Sequence, residues 1–242
     1  MHRKRLATLL LLAASATSAP ATAHTSAVGE FVCPIDGEEF SQSVTASGTS
    51  FGRMLDLKPY GPIAAPWALP VCPTTGFVMY RMKFSAEEIA KLKPYVDSHE
   101  YWAMRRTEAT YYLAAKLQGV LGEADETIAA TLLQATWQAE GRDQYERYAR
   151  EALMVHRRLL EAAPREDQKR ITYELVSGEL ERRLGMFEQA HQRFERLKPL
   201  EAFGTGVFPN IVELQLKLVS AKDTNSHRVP RKSPQAVRSA ER

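Results

Sequence analysis

The chain has 242 residues, 44% of them hydrophobic and 25% charged. That is the balance of a globular protein with enough length to bury a core, and it excludes a fibrous or wholly disordered chain. The formal net charge of +3, from 32 Lys and Arg against 29 Asp and Glu, sits at the two ends. Without Arg3, Lys4 and Arg5 the count is 29 against 29, and the body from 24 to 220 is net −4. Such a body offers no basic platform, which argues against nucleic acid as a partner.

In chain order, Met1-His-Arg-Lys-Arg5 is a short positive stretch, followed by an apolar Leu-rich run from Leu6 and small residues ending Ala21-Thr22-Ala23. This is the n-region, h-region and A-x-A pattern of a signal peptide over residues 1–23. The apolar run is about ten residues, half of what a spanning helix needs. The expected mature protein is periplasmic or secreted, with no transmembrane segment.

Residues 24–83 read as a small β ribbon-like unit. Its lead-in, 24–30, is small and polar, and Gly, Pro, Ser and Thr punctuate short apolar runs. Cys33-Pro34-Ile35-Asp36-Gly37 and Cys72-Pro73-Thr74-Thr75-Gly76 each sit between two such runs, predicting two hairpin-like units with a long connection.

From Phe84 the texture becomes helical. Ser85 and Glu88 form a capping box, and Pro94 is expected to end that short helix. A long helix over 98–121 closes at Gly122. Further helices are predicted near 126–140, 143–163, 166–184, 186–198 and 210–220, with Asp143 placed to cap the second of these. The basic tail, 221–242, is expected to be disordered.

Two helix pairs are alike at an offset of 38 residues: Ala152 matches Ala190, His156 matches Phe194 and Leu159 matches Leu197. Gly178, with Ala190 twelve residues on and Phe194 four beyond, resembles the tetratricopeptide pattern, in which small residues let paired helices approach closely. A plain helical bundle is the other reading of paired helices with short loops.

A Cys-Pro-x-Cys-Gly knuckle aims two thiolates at one tetrahedral zinc ion. Here each knuckle keeps its first Cys, the Pro and the Gly, while Asp36 and Thr75 stand where the second Cys would be. Val71-Cys72-Pro-Thr-Thr-Gly-Phe77, the Phe84-Ser-Ala-Glu-Glu lead and the helical repeats together resemble the bacterial proteins grouped as domain of unknown function 2225. The resemblance covers about residues 30–200. It implies a two-knuckle zinc ribbon followed by tetratricopeptide-like helices, and it carries no assigned activity. With half the thiols gone, the zinc site does not transfer directly. Three readings of the remaining pair stay open: a structural disulfide between Cys33 and Cys72, a residual zinc site using Cys33, Asp36 and Cys72, or free redox-active thiols.

His24 would head the mature chain and could chelate copper through its amine and ring, but it has no clear partner histidine. His99, His156 and His191 fall on predicted helices without metal spacing. There is no GxSxG elbow, P-loop or GxGxxG. Tyr111, Tyr112, Trp137, Tyr145 and Tyr148 read as core, or as the lining of a concave surface able to hold a peptide. The expectation is a mainly α, tetratricopeptide-like array carrying a small N-terminal β unit. Its expected role is a non-enzymatic binding or scaffold module of the cell envelope with a protein or peptide partner. Metal handling or thiol redox chemistry is the alternative.

Overall fold

A computed structural model describes residues 25–164, 168–198 and 208–230. The expected signal peptide, His24 and residues 231–242 lie outside the described residues.

The chain is mainly helical with a small N-terminal sheet. Strands β1 (Thr25–Val32) and β2 (Glu39–Ser47) pair antiparallel, with Phe31 opposite Phe40. From Thr25 the small, polar lead-in is therefore strand. Alternation in β2 puts Phe40, Gln42 and Val44 on its half-buried side, as a one-sided strand requires. Two-residue strands β3 (Gly52–Arg53) and β4 (Pro59–Tyr60) form a second, minimal sheet.

Helix α1 (Ala86–Val96) begins with the expected capping box. Ser85 Oγ accepts from Glu88 N, and Glu88 accepts from Ser85 N. Pro94 does not end α1; the helix runs two residues further, to Val96, with Asp97 as its cap. The expected long helix is two, α2 (His99–Met104) and α3 (Thr110–Leu121). The Tyr148 hydroxyl accepts from Ala109 N at 2.9 Å and donates to Glu108 at 2.6 Å, so a side chain 39 residues away caps α3. Next come α4 (Asp125–Gln138) and α5 (Arg142–Ala162). The array ends with α6 (Gln168–Arg183), α7 (Phe187–Leu197) and α8 (Phe208–Ser220). Asp143 does not cap α5; the cap position is Gly141, and the Gln144 side chain instead reaches back to Glu140 N.

From α3 onward each helix packs on the next. The repeat positions all face inward: Ala152, His156 and Leu159 on α5, and Ala190, Phe194 and Leu197 on α7, are buried. Gly178 is required by that packing. A Cβ there would fall 2.4 Å from the Phe194 ring.

One apolar cluster runs across residue 84, joining Cys33, Cys72, Phe77 and Val78 of the knuckles to Leu92, Tyr101 and Leu117 of the first helices. The β unit thus shares its core with α1–α3. A second cluster spans α3–α6, including Tyr112 stacked on Tyr148 at 4.3 Å. A third centres on Phe194, Val212 and Val219.

The tail expectation is corrected over residues 221–230, which pack back onto the body. Arg182, fully buried, donates to the carbonyls of Asp223 and Asn225 as well as to Glu179 and Gln215. A buried guanidinium must find acceptors for its donors, and the tail backbone supplies two of them. Burial pushes the Glu179 carboxyl up to about 7, against the opposing pull of Arg182 and Gln215. Further along, Leu55 N donates to His227 O and Val229 N to Arg53 O, binding the tail to the β3–β4 turn.

Candidate functional site

The two knuckles have the same backbone. Cys33 N donates to Glu38 O and Gly37 N to Cys33 O; Cys72 N donates to Phe77 O and Gly76 N to Cys72 O. Gly37 and Gly76 sit at φ 79° and 71°, the left-handed region where a side chain is strained. Asp36 and Thr75 do equivalent work in place of the absent thiols. Asp36 Oδ1 accepts from Glu38 N at 3.1 Å, and Thr75 Oγ1 accepts from Phe77 N at 3.2 Å. Glu38 accepts from both Thr74 N and Thr74 Oγ1, tying one knuckle to the other.

Cys33 and Cys72 meet at the centre of this pair. Their sulfurs are 2.20 Å apart, their Cα atoms are 5.5 Å apart, and both residues are buried. That separation is within the range of disulfide-linked backbones. Asp36 is exposed, with its carboxylate occupied by its own turn. Among the described residues no three His, Cys, Asp or Glu side chains are grouped to hold a metal ion. Two cysteine sulfurs bonded to each other and one exposed carboxylate do not supply the four ligands of a structural tetrahedral zinc site.

The helices form a different kind of site. An open cleft of about 440 Å³ lies where the β3–β4 turn and the tail meet the α4–α5 connection and the end of α6. Asp56, 2% exposed, builds one wall by accepting from Lys58 N and from Arg183 at 2.8 Å. The Arg183 guanidinium lies 4.3 Å from the Tyr145 ring centre. Lys58 Nζ donates to Trp137 O, and Arg142 donates to Arg183 O. Trp137 Nε1, the Tyr145 hydroxyl and Arg183 Nε have no hydrogen-bond partner. These are three of the six such buried side-chain atoms among the described residues. Burial pushes the Tyr145 hydroxyl well above the usual phenol range, partly offset by Arg183, so it stays a donor at neutral pH.

A second, more apolar recess of about 270 Å³ lies among α3, α4 and α5, lined by Leu132, Met154 and Val155. Its rim charges are satisfied by one another: Lys116 pairs with Glu151, and Arg158 grips Asp125 with two nitrogens. The cleft is the less self-satisfied of the two.

The aromatics read from the sequence divide accordingly. Trp137 and Tyr145 line the cleft, whereas Tyr111, Tyr112 and Tyr148 are core. His156 is buried in α5 with Nδ1 on Ala152 O, while His191 sits at the surface near Glu195. Asp56, Lys58, Arg142 and Arg183 carried no sequence signal, because Asp56 and Arg183 lie 127 residues apart. No protein-family model, curated protein or solved structure matches the chain.

Proposed function

We propose that this chain is an exported protein-binding or scaffold module of the cell envelope. In this reading the knuckle unit is stapled by a Cys33–Cys72 disulfide and braces a tetratricopeptide-like array that holds a protein or peptide. The observation that carries the reading is the cleft, whose lining residues Trp137, Tyr145 and Arg183 each hold a buried donor without a partner. Buried polar groups are normally paired, and an unpaired cluster lining an open cleft is the mark of a surface that gains by taking a ligand. Export agrees with the paired cysteines, since disulfides persist in oxidising compartments. No helix among the described residues is long and apolar enough to cross a membrane. The proposed kinship with the domain of unknown function 2225 proteins rests on the order of knuckles and helices in the sequence. The metal or redox alternative on Cys33, Cys72 and Asp36 draws less support, because both sulfurs are buried within bonding distance of each other.

Photo-crosslinking tests the reading. A photoreactive residue in place of the exposed Glu140, at the mouth of the cleft, is expected to give one dominant adduct in the exported fraction. Trp137→Ala should abolish that adduct. Equal labelling from an exposed position far from the cleft, such as Glu213, would sink the proposal.

A further inference from the structure

We infer that the cleft between the β3–β4 turn and α4–α6 is a carboxylate site that takes the free C-terminal end of a peptide. The inference rests on the binding role proposed above and adds the chemistry of the ligand.

The unpartnered groups set the first constraint. An indole N–H and a guanidinium Nε can only donate, and a protonated hydroxyl beside them is free to donate. Trp137, Tyr145 and Arg183 therefore call for acceptors, and a carboxylate brings two oxygens with about four lone-pair sites. Charge sets the second. The charged lining is Lys58, Arg142 and Arg183 against Asp56 and Glu140, and Arg142 is itself paired with Glu146 at 2.6 Å, so the cleft carries no large charge of either sign. Asp56 is already committed to Arg183 and to its own turn. With its arginines already paired, the cleft suits a single carboxylate held by neutral and shared donors, whereas a phosphate dianion would face the wall carboxylates with too few cations. Size sets the third. A volume of about 440 Å³ falls within the roughly 300–1,000 Å³ of sites that enclose drug-sized ligands. It therefore has room for more than a bare carboxylate, and the Trp137 and Tyr145 rings give the preceding side chain an apolar wall. The three donor atoms are themselves covered. For a ligand to reach them the lining has to open, as it would if Lys58 left Trp137 O or Arg142 left Arg183 O.

The test is calorimetric titration of the full chain with acetyl-Ala-Ala-Phe as the free acid and as the C-terminal amide, with acetate and inorganic phosphate as competitors. The free acid should bind at least tenfold more tightly than the amide. Tyr145→Phe should weaken the acid on the order of tenfold, the size of one hydrogen bond to a charged group, and leave the amide unchanged. The same variant should keep or raise the thermal midpoint, because it deletes a buried hydroxyl that has no partner. Equal affinity for acid and amide overturns the carboxylate assignment while leaving the binding role standing. Phosphate or acetate competing as well as the peptide acid overturns the peptide-end assignment. No binding of either peptide at millimolar concentration overturns the inference, and the crosslinking experiment then judges the wider role separately. A fall in midpoint with unchanged affinity in Tyr145→Phe makes that hydroxyl structural and also overturns it.

Discussion

The knuckle unit and the helical array are held together by different physics. In the knuckles the order comes from local turns: backbone bonds repeated in each, two glycines in the left-handed region, and a covalent link across the pair. A two-stranded sheet buries too little apolar surface to stand alone, and this unit borrows its core from α1–α3. In the array, order comes from interdigitation over long separations: Tyr148 capping α3, Phe194 against Gly178, and Arg182 gathering α6, α8 and the tail. Short-range order survives loss of a distant contact but depends on its staple. Long-range order fails wherever a contact is cut.

The largest effect should come from the array. Arg182→Met removes a buried cation and strands Glu179, a loss of about 3–5 kcal/mol for breaking a buried ion pair. The stranded carboxyl would be raised further by burial, so the variant should lose stability as pH rises and recover part of it on acidification. Chemical denaturation at pH 8 and pH 5 checks this; equal losses at both would mean that Glu179 stays charged or finds another partner. Residues 221–230 should also become sensitive to protease. Reduction, or Cys33→Ala with Cys72→Ala, acts on the other region. A closure spanning 39 residues is worth about 4 kcal/mol in the chain-entropy model. Hydrogen exchange should show the knuckles and α1 opening while α4–α7 keep their protection. Global unfolding on reduction would erase the distinction between the two regions.

Where order is local, it was legible. The capping box at Ser85, the paired Cys-Pro turns and the closing Gly122 follow from residues within five positions of one another. The buried faces of α5 and α7 were legible because Ala152, His156 and Leu159 are matched by Ala190, Phe194 and Leu197. What escaped was set by contacts across the fold. The break between α2 and α3 depends on Tyr148, and the ordering of the tail depends on a guanidinium about 40 residues earlier. The cleft was half legible. Its aromatic members read as groove lining, while Asp56, Lys58, Arg142 and Arg183 gained meaning only when the β3–β4 turn was brought against α6. Ion pairs at such separations leave no periodicity to read.

A smaller effect isolates close packing from helix propensity. Gly178→Ala should gain up to about 1 kcal/mol as a helix-interior Gly→Ala change. The added methyl would overlap the Phe194 ring, and overpacking costs about 1–3 kcal/mol. A net loss is expected, and Gly178→Ala combined with Phe194→Leu should be less than additive, since the smaller side chain relieves the overlap. Additive losses in denaturant titrations would show that the two residues do not communicate.

The smallest effect concerns the one repeat position where the two units differ in chemistry. His156 is the counterpart of Phe194, buried edge-on to Tyr173 with Nδ1 donating to Ala152 O. Burial holds its pKa below the usual histidine value, and the nearby Arg193 charge adds to that, while the bond to Ala152 works in the opposite direction. The folded state thus binds fewer protons at this site than the unfolded chain. The stabilising contribution is complete above the unfolded pKa of about 6.5 and is lost as pH falls toward the lower folded value. His156→Phe copies the other repeat and removes this titration. Relative to the parent, its thermal midpoint should rise as the pH falls from 7 to 5; Glu179, which titrates over the same range in both chains, cancels in that difference. The buried Ala152 carbonyl keeps its place in the helix, so the ring swap itself should cost little at pH 7. A parent and variant whose midpoints change in parallel would place the pH sensitivity at another group, with Glu179 the next position to substitute.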